Sequence, residues 1–175
     1  MAETPGESTL NLSPLGPQHD RSTFTCGIDS LDGYLRERAR QDARKRIAAP
    51  FVLTAGDDPK VIGYYTLSAI SIVLADLPKD IARRLPRYPV VPATLLGRLA
   101  VDSNYCGKGL GEYLLMDALY RARRHSVEIA SFAVVVDAVN ADCENFYVRY
   151  EFQPFPNQTG RLFLPMRKIQ QVFRR

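Results

Sequence analysis

The chain has 175 residues, 46% hydrophobic and 24% charged, which is ordinary for one soluble globular domain with a real core. No apolar run nears the roughly 18 residues of a membrane span, and Met1 to Ser8 lack the apolar stretch of a secretory signal. Cys26, Cys106 and Cys143 form no CxxC pair, and His19 and His125 stand far apart; this argues against a disulfide framework and a metal site, and fits a reducing cytoplasm. A net charge of +4 is mild, but the arginines gather in three clusters: Arg36, Arg40 and Arg44; Arg83, Arg84 and Arg87; Arg121, Arg123 and Arg124. Such clusters suit a polyanionic partner, or they are solvated helix faces.

One domain is expected over 1–175, with a core at about 8–168, a short polar N-terminus and a basic C-terminal tail. A strand is predicted at Thr9 to Leu12. Asp29 or Ser30 can cap a helix running to about Ile47. Its apolar positions Leu31, Leu35, Ala39, Ala43 and Ile47 keep a four-residue spacing, and Arg36, Arg40 and Arg44 form a stripe by the same rule. Phe51 to Ala55 and Val61 to Ser68 read as strands joined through Gly56-Asp57-Asp58-Pro59. The proline- and arginine-rich stretch from Asp76 to Pro92 holds one short helix between loops. A strand at Thr94 to Val101, a helix from Gly109 to about Arg124, a strand at Phe132 to Asp137 and a helix at Asp142 to Tyr150 follow. Arg161 to Met166 is the last strand before the tail. Strands first, then alternation of strand and helix, imply a mixed α/β sheet with helices on both faces.

The most informative stretch is Leu99-Ala100-Val101-Asp102 followed by Cys106-Gly107-Lys108-Gly109-Leu110-Gly111. A hydrophobic strand feeds a glycine-rich turn that opens directly into a helix. The glycines let the backbone approach a ligand, and the helix directs unpaired N–H groups and its positive dipole end at that ligand. A phosphate or pyrophosphate is the natural occupant. The spacing suits neither a dinucleotide fingerprint nor a Walker loop.

The strand ending L-A-V-D, the x-G-x-G-x-G turn and the helix opening E-Y-L-L resemble the acyl-CoA motif of the GNAT acetyltransferases. The resemblance implies the GNAT fold: a twisted, mostly antiparallel mixed sheet with splayed parallel strands, flanked by helices. It implies acetyl-CoA as cofactor, with Cys106, Gly107, Lys108, Gly109, Leu110 and Gly111 around the pyrophosphate and Leu99, Ala100 and Val101 along the pantetheine arm. Cys106 stands where that family usually has Gln or Arg. Asn140 is a further candidate for the pantetheine, with an ordinary helix cap as the equal alternative.

Asn145-Phe146-Tyr147-Val148-Arg149-Tyr150-Glu151-Phe152 resembles the family's F-Y-x-x-x-G-F segment. The likeness makes Tyr147 the general acid for the departing thiolate; spacing alone favours reading it as a core aromatic at a helix end. Glu151 occupies the usual glycine position, so the turn there is expected to be built differently. Cys26 lacks the His-Asp arrangement of a nucleophile and is read as structural.

Further blocks resemble the GNAT toxins of bacterial toxin–antitoxin pairs: Phe24-Thr25-Cys26-Gly27, Gly63-Tyr64-Tyr65-Thr66-Leu67-Ser68, Leu85-Pro86-Arg87-Tyr88-Pro89, and Arg161 through Met166. That likeness implies acetylation of the α-amine of aminoacyl-tRNA, which stops translation. It also implies a ribbon-helix-helix antitoxin, a homodimer and no membrane association. An α-amine titrates near 7.7–8.0, against about 10.4 for lysine, so such a substrate needs no strong base. Arg36, Arg40, Arg44, Arg87 and Arg98 are the candidate tRNA contacts. The alternative is a GNAT enzyme acting on a small amine or a protein N-terminus.

Overall fold

The computed structural model describes residues 9–174. Seven strands pair in the order β1-β2-β3-β4-β5-β7-β6, a mixed α/β arrangement. The chain forms two compact units, one from the segment up to Thr66 with Leu99–Leu114, the other from Leu67–Arg98 with Leu115 onward.

In the first unit β1 (Leu10–Pro14) pairs antiparallel with β2 (Ala49–Ala55), from Leu10 opposite Ala55 to Pro14 opposite Phe51. The strand runs past Leu12 through Pro14, which is tolerated because β1 is an edge strand where a missing N–H costs no ladder bond. β3 (Gly63–Val73) begins in this unit. Phe24, Leu31, Tyr34, Leu35, Ala39, Val52, Val61 and Tyr64 make one buried cluster. Tyr64 sits edge-on to Phe24 at 5.5 Å, and its hydroxyl donates to Leu31 O at 2.7 Å, so the buried phenol is satisfied.

The first helix departs from the sequence expectation. It is α1 (Asp29–Gly33), a π-helical segment (Tyr34–Arg38) and α2 (Ala39–Lys45). Neither Asp29 nor Ser30 caps it; Ile28 is the N-cap and supplies no side-chain bond. Instead the buried Asp32 carboxylate reaches back to accept from Cys26 N at 2.8 Å and Thr25 Oγ1 at 3.3 Å. The π segment inserts an i→i+5 turn, and the four-residue apolar row stays on the buried side across it. Leu31, Leu35 and Ala39 are buried, but the helix stops at Arg46, which takes the left-handed conformation (φ 56°). Ile47 therefore lies beyond the helix and is 64% exposed, not on its buried side.

The part of β4 (Val90–Val101) that belongs to the second unit, up to Arg98, pairs parallel with β5 (Ala133–Asp137) at Thr94–Val134, Leu95–Val135 and Leu96–Val136. β4 starts four residues earlier than its proline-rich sequence suggests, and the Pro92 carbonyl accepts from Phe132 N at 2.8 Å. The ladder to β5 ends at Leu96, although β4 continues to Val101. β5 has buried residues at Ala133 through Val136, the continuous apolar run of an interior strand. It pairs antiparallel with β7 (Arg161–Pro165), where Arg161 and Asp137 form a two-pronged bridge at 2.7 and 2.9 Å. A two-residue strand, β6 (Gln153–Pro154), completes this edge and has no clear sequence signal. The residues expected to be a basic tail form α6 (Met166–Val172), held by buried Met166 and Ile169 three positions apart.

Candidate active site

β4 delivers Leu99, Ala100 and Val101 to Asp102, which is fully buried. The Asp102 carboxylate accepts from Thr25 N at 3.2 Å and Asn104 N at 2.9 Å, while Ser103 N donates to Thr25 O at 2.8 Å. These bonds fix the chain as it enters a 3₁₀ turn (Ser103–Tyr105) and then the glycine turn. Gly107 and Gly109 have φ of 78° and 75°, a region that disfavours any Cβ, and a Cβ built at either would meet no atom within 4 Å. The glycines are thus required by backbone conformation, and the outer face of the turn is open.

Cys106 through Gly109 are exposed, while Leu110 is buried and anchors the start of α4 (Leu110–His125). Tyr113 is the first residue of α4 whose N–H bonds back into the turn, to Gly109 O at 3.1 Å. The amides of Leu110, Gly111 and Glu112 have no backbone acceptor among the described residues, as expected for the first turn of a helix. Lys108 adds a cation, its Nζ lying 5.2 Å from the Tyr105 ring centre. Unpaired amides, an open glycine face and a lysine fit a diphosphate. Cys106 turns its thiol back toward Asp102 O at 3.8 Å, so it supplies no long polar arm to that ligand.

α5 (Ala141–Arg149) carries Tyr147. Asn140 is its N-cap, with the side-chain oxygen accepting from Cys143 N at 2.9 Å. Of the two sequence readings of Asn140 the cap is the one observed, and it occupies the carbonyl end of the carboxamide. The Tyr147 ring is buried against Phe146 at 5.2 Å and Phe152 at 5.4 Å. Its hydroxyl makes no hydrogen bond among the described residues, yet no fully buried side-chain oxygen there lacks a partner. The hydroxyl is therefore the part of Tyr147 that reaches the surface. Burial, with a smaller contribution from Cys143, raises its pKa above the usual phenol value, so it holds its proton throughout the physiological range.

Helix α5 ends on Glu151 at φ 69°, a left-handed position natural to glycine. This corrects the expectation of a differently built turn: the chain keeps the glycine geometry with a carboxylate residue. An L-residue in this region costs about 1–2 kcal/mol, partly offset by the greater chain entropy glycine loses on folding. Glu151→Gly is therefore expected to stabilise the protein by about 0.5–1 kcal/mol, raising Tm by roughly 1–4 °C. A thermal melt with an unchanged or lower Tm would show that the Glu151 side chain compensates for its backbone.

The structure divides the arginine candidates. Arg40 and Arg44 line an open pocket of about 480 Å³ with Arg21, Glu37, Gln41 and Lys45. Arg36 is not among them; its guanidinium donates to Phe24 O at 2.9 Å. Arg21 and Lys45 went unrecognised in the sequence. Lys45 simply extends the cluster, whereas Arg21 lies outside the helix and is brought in by bonds to Leu35 O (2.8 Å) and Arg36 O (3.3 Å). Burial, and to a smaller degree the neighbouring Arg40 charge, lowers the Arg21 pKa. Arg87 lines a separate groove, and Arg98 is half-buried on β4. The Cys26 thiol is pushed up to about 12, by burial first and then by Asp32, which removes it as a thiolate nucleophile.

The family profile for Acetyltransferase (GNAT) family matches residues 19–152. The chain belongs to the GNAT acetyltransferases. This GNAT chain is 32% identical to the Sinorhizobium fredii protein named Probable toxin TacT, across 98% of this chain and 99% of the relative. It is 36% identical to the tRNA-acetylating toxin of Mycobacterium tuberculosis, across 85% and 87%. Its fold superposes on AtaT complexed with acetyl-methionyl-tRNAfMet with a TM-score of 0.87 at 28% identity, covering 94% of this chain and 99% of that one. AtaT has also been solved in AtaTR bound with acetyl-CoA (TM-score 0.83, 28% identity, 94% and 98% covered). A tyrosine-to-phenylalanine variant of AtaT has been solved with the C-terminus of the antitoxin AtaR (TM-score 0.81, 25% identity, 95% and 99% covered).

Proposed function

We propose that this GNAT enzyme is a toxin that transfers the acetyl group of acetyl-CoA to the α-amine of aminoacyl-tRNA and so blocks translation. The observation that carries the reading is likeness to tRNA-acetylating toxins over nearly the whole chain, combined with an open diphosphate turn and a surface-reaching phenol in this structure. When bound, acetyl-CoA supplies an activated thioester. The amides of Gly107 to Gly111 and the Lys108 cation hold its pyrophosphate. The edge of β4 at Leu99 to Val101, where the ladder to β5 has ended, takes the pantetheine arm. Tyr147 keeps a proton at its hydroxyl and donates it to the departing sulfur. The incoming α-amine is substantially neutral near pH 7.7–8.0, so the site has no need of a strong base. A ribbon-helix-helix antitoxin neutralises the enzyme, which works as a homodimer in the cytoplasm, where its charged tRNA is found. No helix among the described residues is long and apolar enough to cross a membrane.

The pocket formed by Arg21, Arg40, Arg44 and Lys45 then receives tRNA phosphates. In Arg40→Ala/Arg44→Ala, the slope of log affinity for charged tRNA against log salt is expected to shrink by roughly one unit per lost contact. Acetylation of a small aminoacyl ester, at saturating acetyl-CoA, should be insensitive to the same changes. Equal slopes in wild type and variant would mean that the pocket is only a solvated face. Acetylation of polyamines or peptides in preference to charged tRNA would replace the tRNA assignment with a small-amine or N-terminal one.

A further inference from the structure

The segment from Lys79 to Pro89 presents an aromatic ring that nothing above employs. Tyr88 is 66% exposed, and among the described residues its ring has neither an aromatic nor a cationic partner. Its backbone, however, is firmly held. Tyr88 N donates to Pro86 O at 2.8 Å, Leu74 N donates to Pro89 O at 3.0 Å, and prolines on both sides restrict the φ and ψ available. Solvent exposure of a large ring on so constrained a loop is a fixed feature of the surface.

The backbone around Tyr88 has defined surroundings. Its neighbours in the chain border a groove of about 300 Å³, with Leu74, Ala82 and Leu85 as apolar lining and Lys79, Arg83 and Arg87 as cationic lining. Arg87, which lines this groove, immediately precedes Tyr88. Pro89, which follows Tyr88, is bonded to Leu74, another lining residue. The backbone that carries the exposed ring is therefore flanked by groove-lining residues. Arg84 adds a fourth cation to this stretch, and Asp80 is the one carboxylate between Lys79 and Pro89.

An exposed aromatic beside a cation-lined, partly apolar groove is the chemistry that binds unpaired nucleic acid: the ring stacks on a base and the cations take the backbone. A duplex cannot use it, because its base faces are already stacked on one another. On the reading of the substrate as charged tRNA, the unpaired segment that must come to the enzyme is the 3′ end, because it bears the α-amine to be acetylated. We propose that Tyr88 stacks on an unpaired base of that 3′ end, with Lys79, Arg83 and Arg87 holding its phosphates in the groove. This inference rests on the tRNA reading and adds the part of the substrate that is gripped. Tyr88 is a binding residue that positions the aminoacyl end and takes no part in proton transfer.

The test uses the full chain and two uncharged acceptor-stem hairpins, one ending in an unpaired 3′ overhang with 2-aminopurine as its last base and one blunt. Stacking quenches 2-aminopurine fluorescence. Wild type and Tyr88→Phe are expected to quench it, whereas Tyr88→Ala is expected to lose the quench and roughly 5- to 100-fold in affinity for the overhang. Binding of the blunt hairpin should be the same in all three. In turnover, Tyr88→Ala should raise KM for charged tRNA and leave kcat at saturation unchanged. If Tyr88→Ala binds and quenches the overhang like wild type, the proposal is overturned while the tRNA reading stands. If neither wild type nor variant binds either RNA or acetylates charged tRNA, both fall. A Tyr88→Ala defect confined to antitoxin binding would overturn the proposal and reassign the groove to a protein partner.

Discussion

Tyr147→Phe is expected to slow acetyl transfer by about 10²–10⁴-fold while the affinity for acetyl-CoA is unchanged. The ring keeps its contacts with Phe146 and Phe152, so packing survives the change. The lost hydroxyl has no hydrogen-bond partner among the described residues, so no donor or acceptor is orphaned and thermal stability should not fall. What disappears is the proton held for the departing sulfur. Thiol release with charged tRNA measures the rate, calorimetry measures cofactor affinity, and a melt verifies the fold. Near wild-type turnover in a folded Tyr147→Phe protein would remove Tyr147 from the chemistry.

Gly109→Asp should reduce acetyl-CoA affinity by about 100-fold or more, because it places a negative charge where the turn and the first amides of α4 are read as the seat of a diphosphate. The variant should still fold. A Cβ at Gly109 meets no atom within 4 Å, although φ of 75° imposes a backbone cost of about 1–2 kcal/mol on any L-residue. A carboxylate at a helix N-terminus also favours α4 itself. Gly109→Ala carries the same backbone cost without the charge, so it should bind acetyl-CoA more tightly than Gly109→Asp. Equal losses in the two variants would assign the effect to strain, and unchanged affinity in Gly109→Asp would move the diphosphate elsewhere.

The parts of the fold that were legible in the sequence are those where local chemistry dictates backbone. Glycines at 107 and 109, just ahead of a helix, read as a ligand turn because positive φ is costly for other residues, and both have it. Glu151 in a glycine position read as an altered turn, but its φ of 69° shows that the backbone keeps the left-handed conformation and only the side chain differs. The misreadings arose where tertiary contacts override periodicity. A perfect four-residue spacing from Leu31 to Ile47 concealed a π segment, because nothing in the spacing records that Asp32 bonds Cys26 N or that Arg36 bonds Phe24 O. Arg21 carried no periodic signal and reaches its pocket through bonds to backbone carbonyls. Arginine and lysine after Met166 suggested a tail, while the buried pair Met166 and Ile169 was enough to hold a helix. For Tyr147 the sequence offered core aromatic or acid; the structure has a buried ring with a hydroxyl that reaches the surface, an arrangement that leaves room for both.

The bonds around Thr25 have a consequence for dynamics. Thr25 N and Asn104 N end on Asp102, Cys26 N on Asp32, and Ser103 N on Thr25 O. The entry to the glycine turn and the start of the arginine-bearing helix are thus tied to the same three-residue strip, with Arg36 clasping it at Phe24 O. Amides tied through one short strip are expected to open together in hydrogen exchange, so that loss of the strip loosens both flanking segments at once. Genetic scans inherit the coupling. A growth phenotype from Arg36→Ala reports on the latch as much as on any RNA contact, whereas Arg40 and Arg44 report on the pocket they line.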